Sequence, residues 1–152
     1  MAARDVLVVD DTRDCLVILR SMLEGSGFEV RTAQSGADAL AQIEERIPDV
    51  VLLDVMMPGM SGLEVVERLR ADHATARIPV ILVTARSDDD DVMAGYRAGA
   101  DYYITKPCTM QEVLRGIALV GGGVEETSLG AGAAGSNERK RFGDSLSSSR
   151  SV

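Results

Sequence analysis

Five short stretches are rich in β-branched and aliphatic residues: Val6-Leu7-Val8-Val9, Glu29-Val30-Arg31-Thr32, Val50-Val51-Leu52-Leu53, Val80-Ile81-Leu82-Val83 and Tyr102-Tyr103-Ile104. Three of them are unbroken apolar tetrads, the pattern of parallel strands covered on both faces. Between and after them apolar residues recur at spacings of three and four: Leu16, Leu19 and Leu23; Leu40, Ile43 and Ile47; Leu63, Val66 and Leu69; Val92, Tyr96 and Gly99; Val113, Leu114 and Ile117. That spacing puts one apolar stripe on each of five helices. Ser35 with Asp38, Ser61 with Glu64, and Thr109 with Glu112 read as helix starts in capping-box form. Strands alternating with helices through residues 1–120 predict a doubly wound α/β domain, in which right-handed crossovers place helices on both faces of a parallel sheet.

Residues 121–152 change the picture, because seven glycines and seven serines fall in that stretch and its large apolar residues are sparse. Such a segment cannot repay its ordering entropy, so it reads as a disordered tail. A linker to a further domain, or a short docking tail centred on Phe142, are its alternatives. The net charge of -8 comes from 24 acidic and 16 basic residues; residues 1–120 hold 20 and 12 of these, the tail four of each. An acidic domain with a neutral tail is a poor phosphate-backbone binder, and Arg139-Lys140-Arg141 has no aromatic interleaving, so direct nucleic-acid binding is not expected. Cys15 and Cys108 make neither a disulfide framework nor a zinc site, since His73 alone could join them. No stretch has the length of a membrane span, and the start turns acidic too early for a signal peptide. A cytoplasmic protein without membrane contact is the expectation.

In a doubly wound sheet the ligand crevice lies outside the carboxyl ends of the strands, near the switch in strand order. Polar residues collect there: Asp10-Asp11 after the first strand, Asp54 after the third, Thr84 at the end of the fourth, and Lys106-Pro107 after the fifth. Carboxylates held close together at an apolar sheet edge repel one another unless a cation relieves them. Mg²⁺, with Mn²⁺ as its substitute, takes such oxygen ligands together with a backbone carbonyl, which Met56 can offer. An ammonium and a hydroxyl opposite the metal make a pocket for a dianionic group, and a carboxylate can accept phosphate as a mixed anhydride. Asp54 suits that role, because the apolar turn Val55-Met56-Met57-Pro58-Gly59 leaves it at a strand tip.

At these residues the sequence resembles a response-regulator receiver domain of two-component signalling, of the single-domain chemotaxis type. The motifs are VLVVDD at 6–11, VVLLDVMMPGMSGLEVVERLR at 50–70, PVILVTA at 79–85 and AGADYYITKP at 98–107, in that order. The resemblance implies a flavodoxin-like receiver fold with strand order 2-1-3-4-5. It also implies that Asp54 takes a phosphoryl group from a sensor histidine kinase or a His-phosphotransfer protein, and that Asp10, Asp11, Asp54 and the Met56 carbonyl hold Mg²⁺. Thr84 and Lys106 would contact the acyl phosphate, and Tyr103 would act as the aromatic switch that moves inward with Thr84. Pro107 matches the family's cis peptide. Output is then a changed surface on helix four, strand five and helix five that binds an unidentified protein, with a homodimer through the same face left open. Catalysis would be limited to the chain's own phosphorylation and dephosphorylation.

Two departures stand out. Cys108 replaces the aromatic residue usual after Lys-Pro and reads as inert core. Asp88-Asp89-Asp90-Asp91 give the fourth helix an acidic start, which its dipole favours; this reads as a solvated cap, with a partner-selecting patch as the alternative. Tyr102 and Tyr103 should face opposite layers. His73 reads as a surface loop residue. Met56 and Arg86 are the positions that could modulate access to the phosphoryl group, Arg86 either by covering it or by pairing with an acid such as Asp88. An unphosphorylated binding module has no need of the intact Asp10, Asp11, Asp54, Thr84 and Lys106 set. A phosphohydrolase with an aspartyl-phosphate intermediate would want a proton-transferring acid where Met56 stands.

Overall fold

The computed structural model describes residues 4–121. Strands β1 (Asp5–Val9), β2 (Glu29–Ala33), β3 (Val50–Leu53), β4 (Val80–Thr84) and β5 (Tyr102–Thr105) alternate with helices α1 (Arg13–Gly25), α2 (Gly36–Glu45), α3 (Gly62–Ala71), α4 (Asp89–Ala98) and α5 (Met110–Val120). The strands form one parallel sheet in the order β2-β1-β3-β4-β5. Sequential neighbours reverse direction at β1, so the switch point falls between β1 and β3.

The pleat divides the core into two layers. Leu7, Val9, Val51, Leu53, Val80, Leu82 and Tyr103 pack beneath α2, α3 and α4. Val6, Val8, Val50, Leu52, Ile81, Val83, Tyr102 and Ile104 pack beneath α1 and α5. Alternate residues of one tetrad therefore serve opposite layers, which is why the central strands can carry no polar position before their ends. Tyr102 and Tyr103 fall on opposite faces as expected.

Ser61 with Glu64 and Thr109 with Glu112 form complete capping boxes, fixing the starts of α3 and α5 beside the carboxyl ends of β3 and β5. Ser35 accepts a hydrogen bond from the Asp38 amide, the one-way form of the cap. Two helix assignments need correction. Ile47 lies beyond the end of α2 and is 48% exposed; it precedes Pro48, which disfavours helical backbone at the residue before it. In α4 the fully buried residue is Gly95, with Val92 and Tyr96 only half-buried beside it, because the helix meets the sheet through its backbone. The disordered-tail reading and the basic cluster at 139–141 lie outside the described residues.

Candidate active site

Backbone hydrogen bonds carry the strand register one residue past the strands and so aim the polar side chains. The Asp10 amide donates to the Ala33 carbonyl, the Asp54 amide to Val9, and the Lys106 amide to Thr84 at 2.8 Å. Asp10, Asp11 and Asp54 then each bring a carboxylate oxygen within 4.8 Å of the others. Asp10 and Asp54 are buried and Asp11 is exposed, which gives the cluster one wet side. Lys106 reaches back over it from the end of β5, with Nζ 2.7 Å from Asp10 Oδ2 and 3.5 Å from Asp54 Oδ2. Thr84 is fully buried beside them at the end of β4. The peptide between Lys106 and Pro107 is cis.

The turn after β3 is fastened from both sides. The Met56 amide donates to Asp54 Oδ1 at 3.1 Å, and the Gly62 amide donates to the Val55 carbonyl at 2.9 Å. Val55 and Met57 are buried while Met56 is 51% exposed, so the turn anchors on its first and third residues and leaves the second at the rim. Gly62 permits this closure: a Cβ there would overlap the Asp54 carbonyl oxygen and lie 2.8 Å from Val55 Cα, and no backbone atom can yield that space cheaply. Gly62 escaped the sequence reading, because its spacing shows permissive backbone and not what approaches it.

Electrostatics favour a cation here. Burial alone would pull the Lys106 ammonium down, but its hydrogen bond to Asp10, the charges of Asp54 and Asp10, and Cys15 together outweigh burial and raise it above the usual lysine range. Lys106 is therefore a fixed positive charge, yet one ammonium facing three carboxylates leaves net negative charge. All the side-chain donors are hard oxygens, a set that suits a small divalent ion. Cys15, on α1, brings Sγ to 3.6 Å from Lys106 Nζ, a contact across 91 residues of sequence that spacing does not signal.

Arg86 connects the site to α4. Its amide donates to Thr84 Oγ1 at 3.4 Å, its carbonyl accepts from the Tyr103 hydroxyl at 2.8 Å, and its guanidinium pairs with Asp91 at 3.2 Å. The acid it meets is thus Asp91, in the first turn of α4, and not Asp88, which occupies the N-cap without a side-chain bond. Asp89 and Asp90 are exposed, consistent with a solvated helix start. Tyr103 is buried with its ring 6.5 Å from that of Tyr96, and burial, with Asp91, raises its phenol above the usual range. Cys108 is half-buried against the α1/α5 layer, and burial pushes its thiol up. His73 is exposed in the loop between α3 and β4, which leads to the amino end of β4 and not to the carboxyl ends where the acids collect. Among the described residues no helix is long and apolar enough to cross a membrane.

The molecule is a doubly wound α/β domain with an acidic cluster, a lysine and a buried threonine at the carboxyl ends of its strands. Residues 6–118 match the family profile described as the response regulator receiver domain. The phosphate regulon transcriptional regulatory protein PhoB of Rhizobium meliloti (strain 1021) is 41% identical over 109 residues, covering 72% of this chain and 48% of PhoB. The DNA-binding response regulator MtrA of Mycobacterium tuberculosis (strain ATCC 25618 / H37Rv) is 41% identical over 109 residues, covering 72% and 46%. Among solved structures, chemotaxis protein CheY4 of Vibrio cholerae superposes with a TM-score of 0.73 at 30% identity, covering 78% of this chain and 99% of that one. The signal receiver domain of a histidine kinase from Syntrophus aciditrophicus gives 0.74 at 32%, covering 80% and 92%. The chain belongs to the response regulator receiver domain family. It spans about half the length of the curated relatives it matches.

Proposed function

We propose that this protein is a phosphorelay switch: Asp54 accepts a phosphoryl group from a phosphohistidine of a sensor kinase or His-phosphotransfer protein, and a protein-binding surface changes in response. The observation that carries the reading is the Asp54 carboxylate at a strand tip with Lys106 Nζ 3.5 Å away and two further carboxylates within 4.8 Å. An Asp54 oxygen attacks phosphorus in line, the P–N bond to the donor imidazole breaks, and the imidazole nitrogen takes a proton from water as the acyl phosphate forms. Lys106 neutralises one phosphoryl oxygen and the Thr84 hydroxyl donates to another, so the chain supplies positioning and charge while the donor supplies the energy-rich bond.

Asp10, Asp11, Asp54 and the main-chain carbonyl of Met56 are the groups that would hold Mg²⁺ or Mn²⁺. When bound, the ion neutralises charge on the phosphoryl oxygens and relieves the repulsion among the acids. The output surface is the α4–β5–α5 face, to which Thr84 connects through Arg86 and Tyr103. Its occupant is a protein, with a second copy of this chain the competing occupant. The acidic balance of residues 1–120 argues against nucleic acid as a direct ligand of this part. The reading places the chain in the cytoplasm, where its phosphodonors act. We take residues 1–120 as the receiver unit and 121–152 as a separate tail.

Incubation with a small phosphodonor, with and without Mg²⁺, followed by intact-mass measurement, tests the assignment. A Mg²⁺-dependent phosphoryl adduct that is absent in Asp54→Asn is expected; no adduct, or the same adduct in the variant, refutes it. Amide exchange before and after addition of a beryllofluoride complex tests the output face, and unchanged exchange across residues 89–120 despite loading removes it.

A further inference from the structure

Helix α4 is held unlike its neighbour. α3 buries Gly62, Val65, Val66 and Leu69, whereas α4 buries only Gly95. At that point the helix backbone lies so near the sheet that a Cβ on Gly95 would stand 2.8 Å from Leu82 Cδ1 and 2.9 Å from both Cδ2 and Cε2 of the Tyr103 ring. Leu82 and Tyr103 are register partners on β4 and β5, so the three residues form one compact stack. Carbon atoms pack at about 3.5–4.0 Å, so the stack has no space for a methyl group.

We propose that Gly95 is a positioning residue for the switch: the missing side chain at 95 creates the inward seat of the Tyr103 ring, and with it the connection from Thr84 to the α4 surface. The inference rests on the phosphorylation-driven reading above for its functional consequence, but its structural half stands on the seat alone. Asp91 lies one helical turn before Gly95 and pairs with Arg86, whose carbonyl accepts the Tyr103 hydroxyl and whose amide faces Thr84 Oγ1. The ion pair draws the first turn of α4 toward the loop after β4, and the bare backbone at Gly95 lets the next turn close over the ring. A methyl group at 95 therefore meets a helix pulled inward at one turn and a ring with a route outward by rotation about its χ1. The ring leaves, its bond to the Arg86 carbonyl breaks, and α4 no longer senses the position of Thr84.

The test uses the full chain. Gly95→Ala is compared with wild type by nitration with tetranitromethane and peptide mapping, with Tyr102, buried on the opposite face of the sheet, as the internal reference. A severalfold faster modification of Tyr103, with Tyr102 unchanged, is expected. Gly95→Ala should also load beryllofluoride as wild type does while losing the exchange response over residues 89–120. In a Tyr103→Ala background the Leu82 methyl can turn into the vacated space, so adding Gly95→Ala there should cost no stability, and alanine's higher helix propensity should make it level or slightly stabilising, with exchange unchanged; a helix-packing role alone would not show that rescue. Equal Tyr103 nitration in wild type and Gly95→Ala overturns the proposal. If Gly95→Ala alone fails to fold, recovery in the double variant supports it and continued failure overturns it. Nitration needs no phosphodonor, so failure of the wild-type chain to load at Asp54 would refute the phosphorylation reading separately.

Discussion

Removing Lys106 should destabilise the metal-free chain while removing Asp54 should not, and Mg²⁺ should close the gap between the two variants. At an effective dielectric constant of about 20, unit charges 3.5 Å apart attract by about 5 kcal/mol, and like charges at 4.8 Å repel by about 3.5 kcal/mol. Lys106→Met deletes its attractions to Asp10 and Asp54 and leaves the three carboxylates facing one another. Water reaches the ammonium, which is 23% exposed, and Asp10 keeps its hydrogen bond from the Thr12 amide. The loss should therefore sit at or just below the lower end of the range for breaking a buried pair, about 2–3 kcal/mol. Asp54→Asn removes one attraction of about 5 kcal/mol and two repulsions of about 3.5 kcal/mol each at the 4.8 Å limit, and screening of the exposed Asp11 trims the second, so the variant should be level with wild type or about 1 kcal/mol more stable. Urea unfolding followed by far-UV circular dichroism measures both, and urea, unlike guanidinium, does not screen the charges. With Mg²⁺ at a hundredfold excess over its dissociation constant, wild type should gain about 2.7 kcal/mol, Lys106→Met at least as much, and Asp54→Asn little. Shifts of the same sign in the two metal-free variants, or equal Mg²⁺ stabilisation of Asp54→Asn and wild type, would refute this account of the site.

Gly62→Ala must drive the start of α3 off the β3 turn by a large fraction of an ångström; a displacement of about 1 Å lowers reaction rates by up to about a hundredfold, so the time course of Asp54 phosphorylation should slow by one to two orders of magnitude. An unchanged course would show that the turn does not fix Asp54. Cys108, its thiol raised by burial above the ordinary 9.0, should react with iodoacetamide at pH 8 severalfold more slowly in the folded chain than in urea; equal rates would contradict its core placement. Lys106, Tyr102 and Tyr103 all have folded values raised above 10.5, 10.0 and 10.0, so the native state keeps their protons longer and their contribution is complete below about pH 10 and lost as pH rises beyond it. The urea midpoint should fall in that window, and less steeply for Tyr103→Phe. Met56→Asn and Arg86→Ala should both shorten the lifetime of phosphorylated protein in Mg²⁺ buffer, since Met56 is an apolar rim that cannot orient the attacking water and the Arg86–Asp91 pair holds the loop after β4 in place; unchanged or slower decay in both removes these side chains from the explanation.

The sheet and the strand-end chemistry were legible because one physical rule writes both. A strand covered on two faces must be apolar throughout, so the first polar residue after each tetrad marks its end, and Asp10, Asp54 and Thr84 are those residues. Partner choice was less legible. Arg86 had several acids within reach in sequence, and only the path of the loop selects Asp91 over Asp88. Ile47 continued the periodicity of α2, but Pro48 after it ends the helix, a local signal that outranks the period. The glycines were least legible of all. Gly62 and Gly95 matter through what lies against them, the Asp54 carbonyl in one case and the Tyr103 ring in the other, and those neighbours are eight residues away in sequence in both cases.

The two glycines also explain why a signal would leave the site through α4 and not through α3. Both helices make one backbone-first contact, α3 with the turn after β3 and α4 with the sheet, but α3 follows its glycine with Val65, Val66 and Leu69 in the core, so moving it exposes several aliphatic side chains at about 1.5–3 kcal/mol each. α4 has no such run: Val92 and Tyr96 are only half-buried, and Met93 is 38% exposed. Its hold on the domain is concentrated in the Gly95 contact and in the Arg86–Asp91 pair, which is partly exposed and therefore weak. A small displacement at Thr84 or Tyr103 acts directly on both. The same change applied beneath α3 would have to work against a packed core, so displacement would cost least at the helix whose anchorage is thinnest, and that helix borders the proposed protein-binding face.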